Sequence, residues 1–232
     1  MSPDEKRTYV RGMFTAIAPR YDLLNHVLSL NVDRRWRRAA IRHLRWERTP
    51  GGRYLDVCAG TMDLSLELAN QPQFEGTAVG ADFVVPMLHR GRRKHAGLLG
   101  VGADALELPF PAETFDGCMV AFGLRNLSDA AVGVAEMARV LKSGGRLVIL
   151  EFSLPNRWPV RPLYLLYFRH ILPFIGRVVS KHTSGYNYLP ESVSEFSTPD
   201  QLVAELRAGG FHDVHHRPLT MGIVSLYWAT RV

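Results

Sequence analysis

Three aspartates stand where apolar runs end. Asp56 lies inside Arg53-Tyr54-Leu55-Asp56-Val57-Cys58, Asp82 closes the run that follows, 22 residues after Gly60, and Asp104 precedes Ala105. A carboxylate in an apolar strand must be paired or hydrogen-bonded, and a cationic ligand is one such partner. Ala59-Gly60-Thr61 after the first acid lets the backbone approach a ligand closely before a helix begins. The spacing to Asp82 suits a two-pronged grip on ribose hydroxyls. An adenine edge could sit at Asp104 and Ala105. Phe83 and Ala121, at the ends of the second and fourth apolar runs, belong with this group. The dinucleotide fingerprint G-x-G-x-x-G is missing, because Ala59-Gly60-Thr61-Met62 offers one glycine. Acids with a single glycine suit a ligand that has ribose and adenine but no pyrophosphate. S-adenosylmethionine is such a ligand, and its sulfonium is positive. Helix caps and turn residues are the other account of acids at strand ends.

Other chemistries find less support. His212, His215 and His216 form the one histidine cluster. A strand puts His215 and His216 on opposite faces, so no metal site is expected. No Ser-His-Asp or Cys-His grouping is legible. Cys58 and Cys118 each lie in an apolar run, which argues against a disulfide scaffold and reads as two inert core thiols.

The elements that must carry these residues alternate. Strand patterns at 53–58, 76–82, 98–102, 115–122 and 146–152 are separated by helical patterns at 61–70, 86–95 and 129–141. Such alternation implies a parallel sheet with helices on both faces, and ligands bind at the carboxyl ends of its strands. A helix over 198–209, opened by Thr198-Pro199-Asp200, precedes two alternating strands at 211–217 and 223–231 with a turn near Met221-Gly222. One α/β domain over 1–232 is expected: helices in 1–48, a cofactor core in 49–153, an insertion in 154–192, and a helix and hairpin in 193–232. The insertion is rich in proline and aromatics, and Tyr164, Tyr167, Phe168, Phe174, Tyr186 and Tyr188 could line a tunnel or simply pack as a satellite core.

Two longer strings narrow the reading. Tyr21-Asp22-Leu23-Leu24-Asn25-His26-Val27-Leu28-Ser29 runs on to Trp36, and Arg139-Val140-Leu141-Lys142-Ser143-Gly144-Gly145-Arg146-Leu147 runs on to Glu151-Phe152-Ser153. With the cofactor acids and the terminal hairpin, the chain resembles a class I methyltransferase with a Rossmann-like sheet. Both strings, together with Phe122-Gly123-Leu124-Arg125-Asn126 and Tyr186-x-Tyr188-Leu189-Pro190-Glu191-Ser192, are similar to signatures of the ubiquinone/menaquinone biosynthesis C-methyltransferases, from about Met13 to the end. Met62 stands where that family usually has Gly, Asp33 where it has His, and Ser143 where it has Pro. The resemblance implies methyl transfer from S-adenosylmethionine to a ring carbon of a polyprenylated quinol. Demethylmenaquinol is the expected acceptor, and the benzoquinol precursor of ubiquinone is the sister possibility. It also implies roles: Arg125 and Asn126 at the mouth beside strand one, steadying a ring phenolate or a water; Asp22 as proton acceptor; Tyr21 and Asn25 covering the ring; Tyr164, Tyr167, Tyr186 and Tyr188 against the tail.

The formal net charge of +6 is uneven, since residues 1–50 hold 11 Lys/Arg against 5 Asp/Glu and the rest of the chain balances. A charge confined to one element argues against a nucleic-acid partner. On a 100° wheel, Arg34, Arg35, Arg37, Arg38, Arg42, Arg45 and Arg48 share one arc of a helix over 33–48. Trp36, Ala39, Ala40, His43, Leu44 and Trp46 share the other, and Ile41 is the outlier. Such a helix could lie on an anionic membrane surface, or dock on the sheet with its arginines solvated. The start lacks a secretory pattern, and arginines break the apolar stretch 158–179 into pieces too short to span a bilayer. A cytoplasmic protein is expected, peripheral on the inner face of the plasma membrane, with a homodimer as one form.

Overall fold

The computed structural model describes residues 2–155, 158–167 and 184–232. Seven strands form one sheet in the order β3-β2-β1-β4-β5-β7-β6. They are β1 (Arg53–Val57), β2 (Thr77–Asp82), β3 (Leu99–Gly102), β4 (Phe115–Ala121), β5 (Leu141–Phe152), β6 (Phe211–Leu219) and β7 (Val224–Arg231). The first five are parallel, and β7 runs antiparallel between β5 and β6. The terminal hairpin therefore does not hang from the edge: its second strand pairs with β5 and its first becomes the edge. β1 abuts both β2 and β4, with Val57 opposite Ala81 on one side and Val120 on the other. The carboxyl ends of three strands thus meet at one place.

Helices α1 (Pro3–Ile17), α2 (Tyr21–Leu28) and α3 (Asp33–Leu44) precede the sheet. Ser2 caps α1 in a reciprocal capping box with Glu5, and Pro3 opens the first turn. Between the strands lie α4 (Asp63–Ala69), α5 (Val85–Arg92) and α6 (Ala130–Val140). After β5 come α7 (Val160–Leu166), α8 (Ser184–Glu195) and α9 (Pro199–Ala208), the last capped by Thr198 as its sequence predicts, with Gln201 completing a capping box. Two cores result. Leu55, Val57, Val120 and Ile149 pack under Val134 and Met137 of α6 and Leu202 and Leu206 of α9. The opposite face packs Tyr54, Met119 and Val148 against Leu64 and Leu68 of α4, Leu88 of α5, and α3.

The basic helix departs from its wheel. α3 stops at Leu44 because Arg45 adopts a left-handed conformation, and Trp46–Arg48 form a short 3-10 turn. Trp36, Ala40, Ile41 and Leu44 are buried on the sheet, so the apolar face is consumed by docking and the outlier Ile41 belongs to it. Burying each large side chain contributes roughly 1.5–3 kcal/mol. This helix cannot lay its tryptophan into a lipid surface. Arg37 also leaves the solvated face: it is buried between Asp33 at 2.9 Å and Asp63 at 3.1 Å. Arg34, Arg35, Arg38 and Arg42 remain exposed. No helix among the described residues is long and apolar enough to cross a membrane.

Candidate active site

The loop after β1 turns by left-handed residues, with Cys58 at φ 54°, Gly60 at φ 53° and Met62 at φ 61°. Gly60 is the one that is glycine, and a Cβ there would lie 3.5 Å from Met87 Cε. Met62 holds the backbone shape a glycine would adopt freely, and its side chain is wholly buried. The glycines Gly80 and Gly91 make room for it, since a Cβ on either would meet Met62 within 2.7 Å. The Met62 side chain therefore fills space beneath the loop.

Asp82 ties this loop to the next helix. Its Oδ2 accepts from Gly60 N at 2.8 Å and its Oδ1 from Val84 N at 2.7 Å. Burial pushes its carboxyl up, against those two hydrogen bonds. Asp56 behaves differently from its expected role. It points away from the strand-end cavity toward α4, where Oδ2 accepts from Ser65 Oγ at 2.7 Å and Ser65 N at 3.1 Å. Burial drives its carboxyl up to about 7, opposed by Ser65. Asp56 is a strut behind the loop.

The strand ends enclose a narrow cavity of about 60 Å³, lined by Gly60, Asp82, Phe83, Asp104, Ala105, Ala121 and Asn126 among others. Ala59 and Thr61, expected here, do not line it. Ala59 donates its N–H to Ala81 O, and the Thr61 hydroxyl donates to Asp22 Oδ1 at 2.5 Å. The cavity is small because α1 covers it. Val10 and Phe14 form part of its wall, and Arg7 reaches Asp104 at 2.6 Å. Lys6 donates to Arg125 O and Leu127 O, pinning the same helix down. The sequence offered no motif for Arg7, Val10 or Phe14, although helical spacing on a capped helix marks them as one face. Asn126, expected beside the ring, lines this cavity. Its Nδ2 donates to Phe122 O at 3.2 Å, and its Oδ1 is buried with no hydrogen-bond partner among the described residues. The buried Asp82, the half-buried Asp104, an orphaned acceptor and a glycine-tight approach fit a cationic adenosyl ligand.

A second, apolar cavity of about 490 Å³ lies alongside. Tyr21 and Asn25 of α2, Tyr164 of α7, Tyr167 just after it and Tyr188 of α8 all line it. The structure thus brings these five expected residues together. Tyr186 falls on α8 but its side chain is outside the described residues, as are Phe168 and Phe174. Burial raises the phenols of Tyr21, Tyr164, Tyr167 and Tyr188, and the Tyr167 hydroxyl donates to Leu28 O at 2.9 Å. Phe14, Tyr21 and Phe122 line both cavities and form the wall between them. Phe122 holds φ 58°, an unusual conformation for an aromatic residue, and packs 4.5 Å from Phe152.

Arg125 lines the apolar cavity and is buried. Its Nη1 donates to Glu151 Oε1 at 2.6 Å and to Phe122 O at 2.6 Å, and its Nε donates to Ser192 Oγ at 3.3 Å. Glu151 also accepts from the Arg125 backbone N–H and from Phe152 N. The guanidinium is thereby locked over the Phe152 ring, 5.3 Å from its centre. Asp22 is not in this cavity. It accepts from Thr61 and pairs with Lys94 at 2.7 Å, which also reaches Asp63 at 2.5 Å. A different carboxylate, Asp33, lines the apolar cavity, and no other Asp or Glu among the described residues does so. Ser29 Oγ donates to its Oδ1 at 2.7 Å, while His26 Nδ1 and Arg37 meet its Oδ2 at 3.1 Å and 2.9 Å. The histidine-rich strand separates as expected: His215 pairs with Asp213 and stacks on Trp228, while His216 bonds Ser225.

The ubiE/COQ5 methyltransferase family model matches residues 2–231. The chain belongs to the ubiE/COQ5 methyltransferase family. It is 46% identical over 229 residues to the ubiquinone/menaquinone biosynthesis C-methyltransferase UbiE of Geobacter sulfurreducens, covering 96% of this chain and 88% of that one. Identity to the demethylmenaquinone methyltransferase of Deinococcus radiodurans is 47%, over 96% of this chain and 92% of the relative. Among solved structures, a chain from the complex of the Haloferax volcanii Trm112 methyltransferase activator with a methyltransferase superposes with a TM-score of 0.67. That likeness covers 94% of this chain and 97% of the other at 16% identity, and it shows the shared fold. This methyltransferase thus has a strand-end cavity with an apolar one set against it.

Proposed function

We propose that this methyltransferase binds S-adenosylmethionine in the strand-end cavity and methylates a ring carbon of demethylmenaquinol held in the apolar cavity. The observation that carries this reading is the shared wall of Phe14, Tyr21 and Phe122 between the acid-lined cavity and the apolar one. S-adenosylmethionine supplies an electrophilic methyl group on a sulfonium. Asp82, Asp104, Ala105 and Phe83 would hold its nucleoside end, with the orphaned Asn126 Oδ1 offered to an amino group. The cavity must widen to admit it, so the Arg7–Asp104 pair opens and α1 moves outward.

On the apolar side, a ring carbon becomes nucleophilic when a ring hydroxyl loses its proton. Arginine stays protonated in proteins, so Arg125 is no base. Locked by Glu151, it stabilises the ring oxygen as negative charge develops there. Asp33, in the wall of the same cavity, takes the role expected of Asp22. It is the carboxylate placed to receive the hydroxyl proton, and the partly exposed His26 contacts its Oδ2. The aromatic walls exclude water and receive the prenyl tail. The names of relatives with 46–47% identity support a respiratory quinol as acceptor, and the Deinococcus relative supports a naphthoquinol.

Calorimetric titration with S-adenosylmethionine, followed by turnover on reduced demethylmenaquinol and on the benzoquinol precursor side by side, tests this. Saturable donor binding with methylation of the naphthoquinol is expected. Preference for the benzoquinol would overturn the substrate, and absence of donor binding would overturn the whole reading.

A further inference from the structure

The apolar cavity opens between three separate elements, and each places a large exposed hydrophobic side chain at its lip. Leu30 comes from the α2–α3 connection and is 83% exposed; Met221, in the turn between β6 and β7, is 65% exposed; Leu163 of α7 is 63% exposed. All three also line the cavity. Trp158 precedes α7 and is 85% exposed, and Leu166 lies one helical turn beyond Leu163 at 54%. Other exposed hydrophobics, such as Leu99, Val132 and Val232, stand on different elements. Isolated exposed hydrophobics are ordinary, whereas a convergent ring of them marks an interaction surface.

Cations flank this ring. Arg34, Arg35 and Arg38 are exposed on the first turns of α3, which follows Leu30, and Arg161 is exposed between Trp158 and Leu163. Trp36 Nε1 donates to Thr220 Oγ1 at 2.7 Å, which fixes the start of α3 beside the Met221 turn. The carboxylate of that turn of helix, Asp33, is buried and paired inward with Arg37, so it does not offset the exposed arginines.

We infer that this mouth is the face by which the protein seats on an anionic phospholipid surface, with the ring inserted among acyl chains and the arginines at the phosphates. The contact is made by loop tips and α7, because α3 spends its own apolar face on the sheet and contributes charge alone. A bilayer is the occupant that charge and position favour: apolar side chains at the centre, cations beside them, and between them the opening of a cavity suited to an apolar tail. A prenylated substrate could then pass from lipid into the cavity without crossing water. The inference rests on the quinol reading, since it names the surface from which that substrate would come.

Co-sedimentation of the full chain with phosphatidylcholine vesicles, with and without phosphatidylglycerol, tests it in the absence of substrate. The wild-type chain should bind, and phosphatidylglycerol should strengthen binding markedly. The Arg34→Gln/Arg35→Gln/Arg38→Gln variant should lose roughly tenfold or more in affinity for anionic vesicles. Trp158→Ser/Leu166→Ser should lose a comparable amount. None of these residues lines either cavity, so donor affinity, melting temperature and turnover on a short-tailed quinol in solution should be unchanged in both variants. Failure of the wild-type chain to bind vesicles would overturn the inference. So would wild-type binding by Trp158→Ser/Leu166→Ser, since arginines alone would then be holding the lipid. Failure to turn over the short-tailed quinol condemns the quinol reading instead, whatever the vesicles show.

Discussion

The strand-end cavity takes its central groups from β1, β2 and β4, neighbours in one hydrogen-bonded ladder. The apolar cavity takes most of its wall from α1, α2, α3, α7, α8 and the β6–β7 turn, which no ladder joins, and Phe122, Arg125 and Phe152 reach it from the ends of β4 and β5. In the first, backbone geometry sets positions, and Asp82 fixes the loop through two N–H groups. In the second, side-chain locks do that work: Glu151 and Ser192 on Arg125, Trp36 on Thr220, and Arg37 between Asp33 and Asp63. The strand-end side is thus sheet scaffold closed by one helix, and the apolar side is an assembly held by side-chain contacts.

If that division holds, substitutions on one side should spare the other. Arg125→Lys keeps a charge opposite Glu151 but loses the planar fork. Turnover should fall roughly a hundredfold, the size of a lost oxyanion donor, with the donor dissociation constant unchanged. Steady-state kinetics paired with calorimetry checks this, and a parallel loss of donor affinity would join what the structure separates. Asp82→Asn should do the reverse. It turns one acceptor oxygen into a donor facing a backbone N–H, so donor affinity should fall roughly tenfold or more. Turnover at saturating donor should change far less.

The strut behind the loop gives a pH test. Burial raises the Asp56 carboxyl from 3.8 to about 7, so the folded chain keeps a proton that the unfolded chain has released. Stability should therefore fall as pH rises from about 4 to about 7 and level off above, by on the order of a few kcal/mol. The raised carboxyl of Asp82 acts in the same direction. Asp56→Asn should flatten this slope in melting temperatures taken across that range, with little change in donor affinity. An unchanged slope, or a large loss of donor binding, would return Asp56 to the cavity wall. The smallest effect is expected at the gate. Arg7→Ala removes a half-exposed ion pair that competes for Asp104, and such pairs contribute about 0–1 kcal/mol. Donor affinity should rise about threefold, and a fall would make Arg7 a donor ligand.

The same contrast explains what the residues disclosed. Alternating apolar runs and strand-end acids are local patterns, and they located β1 to β5, Gly60, Asp82, Asp104 and Ala105. Spacing could not tell Asp56 from Asp82, because facing a ligand and facing α4 differ only by which side of the strand the carboxylate takes. It could not place Asp22 and Asp33, since Asp22 ends on partners distant in sequence, Lys94 and Thr61, while Asp33 lies in the wall of the apolar cavity. Arg37 shared an arc with solvated arginines, and Asp63 on α4 opposite it is invisible on a helical wheel. The roof formed by α1 carries no motif at all, because Val10 and Phe14 are ordinary apolar residues whose role comes from where the helix lies.

A crystal structure of the full chain with S-adenosylhomocysteine and a demethylnaphthoquinol analogue tests the central claim most directly. The account predicts the nucleoside between Asp82 and Asp104 and the ring beside Arg125. The sulfur should face the ring carbon at the boundary formed by Phe14, Tyr21 and Phe122, so that a methyl group on it would stand about 3–3.5 Å from that carbon. A ring lodged among Asp82, Asp104 and Asn126, or lying where Phe122 screens it from the sulfur, would contradict it.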